Sequence, residues 1–178
     1  LGHGAVIKTE ADSTVDLLLH SSLSALRLTP NSTLRLDKLN REAGYDKELT
    51  ETTLTLLTGS IAGTQRKLAA PSRFQINVAG EVVTIVGTEY YVQANGAVTV
   101  ISGAVSINYN LPGGGGSVMV TVTAGFTFDP TTGQVVPTTP GNLQNIIAHI
   151  TTTKQNAETF RAGGATLVVK PERYISPH

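Results

Sequence analysis

Short runs in which apolar and polar residues alternate recur along most of this chain, each closed by a turn signal. Ala5–Thr9 leads to Ser13–Leu19 through Glu10-Ala11-Asp12. Ala25–Leu28 and Thr33–Leu36 flank Thr29-Pro30-Asn31-Ser32, whose proline and asparagine suit a hairpin turn joining the two runs. Thr53–Leu57 precedes Gly59, Arg73–Val78 precedes Ala79-Gly80, and Val82–Val86 follows. Ala97–Ile101 comes after Asn95-Gly96, the strongest short hairpin signal in the chain. Ala104–Tyr109, a turn at Pro112–Gly116, Ser117–Ala124, and Phe126–Phe128 before Asp129-Pro130 complete the series. A spacing of roughly 8–12 residues predicts an all-β domain, a twisted sandwich or a β-roll of short strands. The apolar residues are mainly Val, Ile, Leu and Ala with abundant Thr; the β-branched ones among them are stiff at χ1 and fit a pleated surface.

Within the stretch VTIVGTEYYV, Val83 to Val92, the alternation changes phase. Val82–Val86 is apolar at four of its five positions, as in a strand buried on both faces. After Gly87, Tyr90 and Val92 take the opposite parity to Val83 and Ile85. A shift of one residue is what a β-bulge produces, and glycine tolerates the backbone conformation it requires. Gly87 is therefore expected to bend a central strand, with Thr88 satisfying the loosened backbone and Glu89 pointing outward.

Two segments leave the β pattern. Asp37–Glu51 is dense in charges of alternating sign and reads as an exposed loop or short helix. Its solvated surface (Asp37, Lys38, Arg41, Glu42, Tyr45, Asp46, Lys47) is the candidate for contact with a partner. Farther on, Leu143, Ile146, Ile147 and Ile150 form one helical stripe. Thr139-Pro140 can start that helix and Gly163-Gly164 can end it, which predicts a helix from about residue 141 to 162. The helix is expected to pack this stripe on the β domain, and a final strand is expected over Thr166–Lys170. The expected division is a β domain at 1–136 and a C-terminal extension at 137–178.

At these residues the chain resembles a known family. Ile85-Val86-Gly87-Thr88-Glu89-Tyr90-Tyr91-Val92 resembles the signature of the FecR-type extracytoplasmic domain, a strand ending in Gly-Thr followed by a polar residue and an aromatic. Leu54–Ile61, with Gly59, is similar to the family's preceding strand, and Ala70–Ile76 to the segment before the signature. Val98–Val105, with Gly103, is similar to the segment after it, and Val122–Gly125 to the closing element. The opening strands fit as well, so the resemblance runs from about Gly4 to Val136. Where the family commonly has a basic residue before Gly-Thr, this chain has Val86. The region after Val136 does not resemble the signalling module of the iron-uptake regulators. The resemblance implies a periplasmic or otherwise extracytoplasmic module that binds another envelope protein. In the best-known members it relays a signal from an outer-membrane transporter to a sigma factor. The motif residues Gly59, Gly87, Thr88, Glu89, Tyr90, Gly103 and Gly125 are then expected to be structural.

Composition removes several activities. The chain of 178 residues carries 13 basic and 13 acidic side chains, so no basic field would gather phosphates, and nucleic acid is not an expected partner. The absence of cysteine removes disulfides, thiolate metal sites and cysteine nucleophiles. His3, His20, His149 and His178 have no metal-ligand spacing, Gly113–Gly116 lacks the Lys-Ser/Thr of a phosphate loop, and Gly59-Ser60 lacks the second glycine of a nucleophile elbow. Glu81, Glu89 and Asp129 are carboxylates that acid–base chemistry could use only if they converged. Asn31-Ser32-Thr33 matches a glycosylation sequon and reads as a turn. The chain begins Leu1-Gly2-His3, as a processed piece would, so an export signal or membrane anchor is expected outside it. The reading that results is a non-enzymatic exported module without cofactors, acting by protein contact in envelope signalling or sensing. A carbohydrate-binding or structural envelope module is the alternative, with Tyr90, Tyr91 and Tyr109 its only aromatic platform.

Overall fold

The computed structural model describes residues 3–19, 24–43, 48–68 and 70–163. Among them run β1 (Val6–Lys8), β2 (Val15–Leu19), β3 (Ser24–Leu28), β4 (Thr33–Ala43), β5 (Glu48–Thr58) and β6 (Ser60–Gln65). Then follow β7 (Arg73–Val78), β8 (Glu81–Gln93), β9 (Val98–Asn110), β10 (Ser117–Thr123), β11 (Phe126–Asp129), β12 (Gln134–Pro137) and the helix α1 (Pro140–Gly163). The strands make one continuous mixed sheet in the order β1-β4-β5-β7-β8-β6-β3-β2, with β9 joining β8 to β10, β11 and β12. Its parallel ladder is β5 with β7.

The long strands fold this sheet over on itself. Glu81–Thr84 of β8 pair with β7, whereas Glu89–Gln93 pair with β6. In β9, Val98 and Thr99 pair with β11 and Ala104–Asn110 pair with β10. Each strand therefore belongs to one layer in its first half and to the other in its second. Strands that change layers do so at bulges, and the ladder between β8 and β9 shifts register between Val86 and Tyr90. The buried parity follows the shift: Val83 and Ile85 before it, Thr88, Tyr90 and Val92 after it. Across the ladder β9 makes the complementary change, from Val98 and Val100 to Val105 and Ile107. The bend at Gly87 is thus present, but burial on both faces is not: Val86 is 57% exposed.

The two layers close on a single core. Leu36, Leu54 and Ile76 of one layer share a cluster with Leu26, Ile61 and Val100 of the other. Ring contacts span the gap, Phe74 to Tyr90 at 6.4 Å between centroids and Tyr109 to Phe128 at 5.2 Å. Offset or edge-to-face geometry of this kind is favourable for aromatic pairs.

Two sequence expectations change here. Ala25–Leu28 and Thr33–Leu36 are not two arms of one hairpin: β3 pairs with β2 and β6, and β4 with β1 and β5. Thr29–Ser32 is a corner between layers, held by buried hydroxyls. The Thr9 hydroxyl donates to Thr29 O at 2.6 Å and accepts from Ser32 N at 2.9 Å, and Ser32 Oγ accepts from Ser60 N at 2.9 Å. Asp37–Glu51 is neither loop nor helix in its described part. It forms the outer arms of the β4–β5 hairpin, where threonines and cross-strand charges extend the ladder; Tyr45, Asp46 and Lys47 lie outside the described residues. Thr166–Lys170 and His20 and His178 also lie outside them.

The predicted helix is present as α1, on the outer face of the β2–β3–β6 layer. Ile146 and Ile150 bury against Ala62, with Tyr91 and Ile101 beside them. Ile147 of the expected stripe faces outward, and the buried line continues instead through Thr153 and Ala157. Spacings of four, three and four residues keep that line on one side of a helix.

Candidate interaction surface

The motif residues fall into separate structural roles. Gly59 turns the chain from β5 to β6 with φ of 74°, and a methyl group there would lie 2.0 Å from Ser32 Oγ. Gly87, Thr88 and Gly103 meet at the paired bulges. The Thr88 hydroxyl donates to Ala104 O at 2.7 Å and to Val86 O at 3.1 Å, at the bulge. Gly103, at φ of 79°, lets this approach happen, because a Cβ there would lie 2.7 Å from Gly87 O. Tyr90 is fully buried in the core and lies over Gly63, where a Cβ would clash with its ring at 2.3 Å. Gly125 makes the β10–β11 turn, accepting from Thr138 N and donating to Val100 O. Glu89 faces outward from the core, and Lys154 of α1 pairs with it.

The carboxylates weighed for acid–base chemistry each have partners of their own. Glu81 and Glu89 are eight positions apart on β8, on opposite sides of the bend at Gly87. Glu81 accepts from Asn110 N at 2.8 Å, while Asp129 accepts from Thr131 N at 2.9 Å and from the Thr132 hydroxyl at 3.1 Å. Among the described residues no cluster of three or more histidines and carboxylates could hold a metal, and no helix is long and apolar enough to cross a membrane.

The described part of the hairpin holds Asp37, Lys38, Arg41 and Glu42 of the candidate partner surface. Asp37 occupies a bulge in β4 and pairs with Arg35 and the Thr55 hydroxyl. Burial pushes the Asp37 carboxyl up, but the Thr55 and Arg35 bonds and the Arg35 charge outweigh it and hold the group below its ordinary value. Lys38 pairs with Glu51 at 2.6 Å. Arg41 and Glu42 continue the ladder opposite Thr50 and Leu49. Where the hairpin leaves the sandwich, Asn40, Thr50, Glu51, Ser72 and Arg73 line a cleft of about 300 Å³. Thr50 Oγ1 is buried there without a hydrogen-bond partner. The described part of the two paired strands thus carries mixed charges, hydroxyls and amides.

Sequence reasoning missed the polar junction under α1. Arg27 donates to both oxygens of Asp16, at 2.7 and 2.6 Å. Asn156 donates to the same carboxylate at 2.5 Å, and the Thr153 hydroxyl donates to it at 3.3 Å. Burial raises the Asp16 carboxyl, but the bonds from Arg27 and Asn156, the Arg27 charge and the Thr153 bond together hold it below the ordinary carboxylate value. The available signal was a single charge in each of two apolar strands, VDLLL and SALRL, placed so that the charges face one another across the ladder.

Comparison with known proteins agrees with this architecture. The sequence profile of the FecR protein family matches residues 5–106, more than half of the chain. No curated protein matches. Two crystal structures, at 2.50 and 1.65 Å resolution, of "a putative anti-sigma factor" from Parabacteroides distasonis ATCC 8503 are similar in fold. Their TM-scores are 0.52 and 0.51 at 13% and 12% identity, over 75% of this chain. The chain spans 59% of the length of those structures. From the profile match over the two-layer β domain, the chain belongs to the FecR family.

Proposed function

We propose that this chain is a non-enzymatic, extracytoplasmic FecR module that acts in signalling by contact with another envelope protein. The family and the similarity in fold to a protein described as an anti-sigma factor support a signalling-related role. The observation that carries the contact mechanism is the β4–β5 hairpin. Its two eleven-residue strands carry paired charges on the sheet surface, Arg35 with Asp37 and Lys38 with Glu51. Regular strand pairing keeps the entropic cost of presenting such a surface small.

The test is a crosslinking pull-down from envelope extract of the source organism with this chain as bait. A second bait carries Lys38→Glu with Glu51→Lys, which keeps the ion pair but reverses its direction. Recovery of an outer-membrane transporter or a membrane-anchored regulator by the first bait and its loss with the second is the expected result. Equal recovery by both baits would place the contact elsewhere. Recovery of polysaccharide with no specific protein would remove the mechanism.

A further inference from the structure

Between the first half of α1 and the strands β8, β9 and β11 beneath it lies a cleft of about 470 Å³, larger than the one at the hairpin. Pockets for small molecules run from about 300 to 1,000 Å³, so this one has room for a ligand of one or two rings. One wall is a helical stripe, Asn142, Asn145 and His149, at i, i+3 and i+7. The opposite wall is built from three strands: Tyr91 and Gln93 of β8, Thr99 of β9 and Thr127 of β11. Register places Tyr91, Thr99 and Thr127 side by side across the sheet.

The chemistry of these walls is uniform. None of the residues lining the cleft is an acid, a lysine or an arginine. The imidazole of His149 is held below its ordinary value by burial and by the Arg27 charge, against the pull of Asp16, so it is neutral at pH 7. Thr99 and Thr127 exchange a hydrogen bond at 2.8 Å, and Thr127 bonds onward to Thr138 at 2.8 Å. A hydroxyl chain retains spare lone pairs that can accept from a ligand. The side-chain amides of Gln93, Asn142 and Asn145 have no partner among the described residues, and each offers two donors and an acceptor. The Tyr91 hydroxyl is tied to Ser60 Oγ at 2.7 Å, which fixes the ring and leaves its surface to the cleft.

We propose that this cleft binds an uncharged polyhydroxylated ligand, a neutral sugar of one or two rings. Such a molecule carries alternating donors and acceptors for the amides and hydroxyls, and an apolar ring face for Tyr91. A charged ligand would lose its hydration there without an opposite charge to replace it. Among the three tyrosines that could serve as a sugar platform, Tyr90 is fully buried and Tyr109 packs in the core, whereas Tyr91 faces the cleft. The cleft is remote in the fold from the hairpin, so the proposal stands apart from the partner contact.

The experiment is saturation-transfer NMR followed by titration calorimetry on the full chain. The probes are glucose, galactose, N-acetylglucosamine, maltose and cellobiose, with glucuronate and glucosamine as their charged counterparts. At least one neutral sugar is expected to bind at least tenfold more tightly than the charged ones. Gln93→Ala with Asn145→Ala, both on exposed positions, is expected to weaken that binding at least tenfold with the circular-dichroism spectrum unchanged. Tyr91→Ala, which removes the ring face on which the sugar would stack, should also weaken it at least tenfold. Absence of saturable binding by every neutral probe up to about 10 mM, well beyond the concentration where a weak millimolar site fills, would overturn the proposal. So would a preference for the charged sugars, or binding that survives both variants.

Discussion

A buried tyrosine with no partner for its hydroxyl lies at the centre of the family motif. Tyr90 fills the space over Gly63 and reaches Phe74 of the opposite layer, yet its phenol oxygen has no hydrogen-bond partner. Burial accordingly pushes its ionisation well above the ordinary tyrosine value. The ring and the hydroxyl thus make opposite contributions: the ring provides contact area, and the hydroxyl costs desolvation that nothing returns. Tyr90→Phe is expected to be neutral or stabilising by up to about 1 kcal/mol in urea denaturation. Gly63→Ala is expected to cost about 2–4 kcal/mol, because the methyl meets a ring that has no room to retreat. A loss of more than about 1 kcal/mol in Tyr90→Phe would show that the hydroxyl is satisfied in solution, for instance by a buried water.

At the scale of elements, paired bulges turn two long strands into four half-strands and a sheet into a sandwich. The Gly87 bulge was legible because glycine and a parity change coincide in one short stretch, and Asn95-Gly96 was legible as a hairpin from its turn chemistry alone. The bulge in β9 was not, since Ile101, Ser102 and Ala104 around Gly103 give no sharp change of parity. Proline and asparagine at Thr29–Ser32 suit a corner as well as a hairpin, and only the layer each neighbour joins decides between them. In the charged arm, cross-strand pairing outweighed the appearance of a solvated loop, which a single strand's pattern does not reveal. The helix existed where its stripe predicted, but its contact line ran through Thr153 and Ala157 because the surface beneath is partly polar. The polar cleft and the Asp16 junction have no linear signature, as their residues come from distant strands and α1. The bulges themselves make a direct prediction. Thr88→Val keeps shape but removes the donor to the Ala104 and Val86 carbonyls, which are left without it. A loss of about 1–3 kcal/mol in denaturant unfolding is expected, with Thr88→Ser retaining most of the stability. Equal losses in the two variants would mean that the methyl group, not the hydroxyl, holds the bend.

For the molecule as a whole, the two outer faces differ. The β2–β3–β6 face carries α1, whose apolar footing is small, and the Asp16 junction adds a charged anchor between two strands and the helix. That anchor makes docking of α1 depend on pH. Asp16 has an ordinary value of 3.8 and lies below it in the fold. A carboxyl with a lowered folded value adds stability that is complete above its unfolded value and disappears as pH falls through the folded one. His149 acts in the same direction higher up, since its lowered value means that protonation near its ordinary 6.5 favours the undocked state. Asp16→Asn keeps the size of the side chain but leaves Arg27 without a counter-charge, and about 2 kcal/mol should be lost at pH 7. The difference between wild type and this variant should remain constant down to about pH 4 and shrink below it. Circular dichroism at 222 nm follows α1, and near-ultraviolet dichroism follows the tyrosines of the core. On acidification the first signal should fall before the second, as the helix leaves a sandwich that still holds its own packing. Coincident transitions, with a gap between wild type and variant that does not change with pH, would show instead that α1 and the sandwich unfold as one unit and that Asp16 is no anchor.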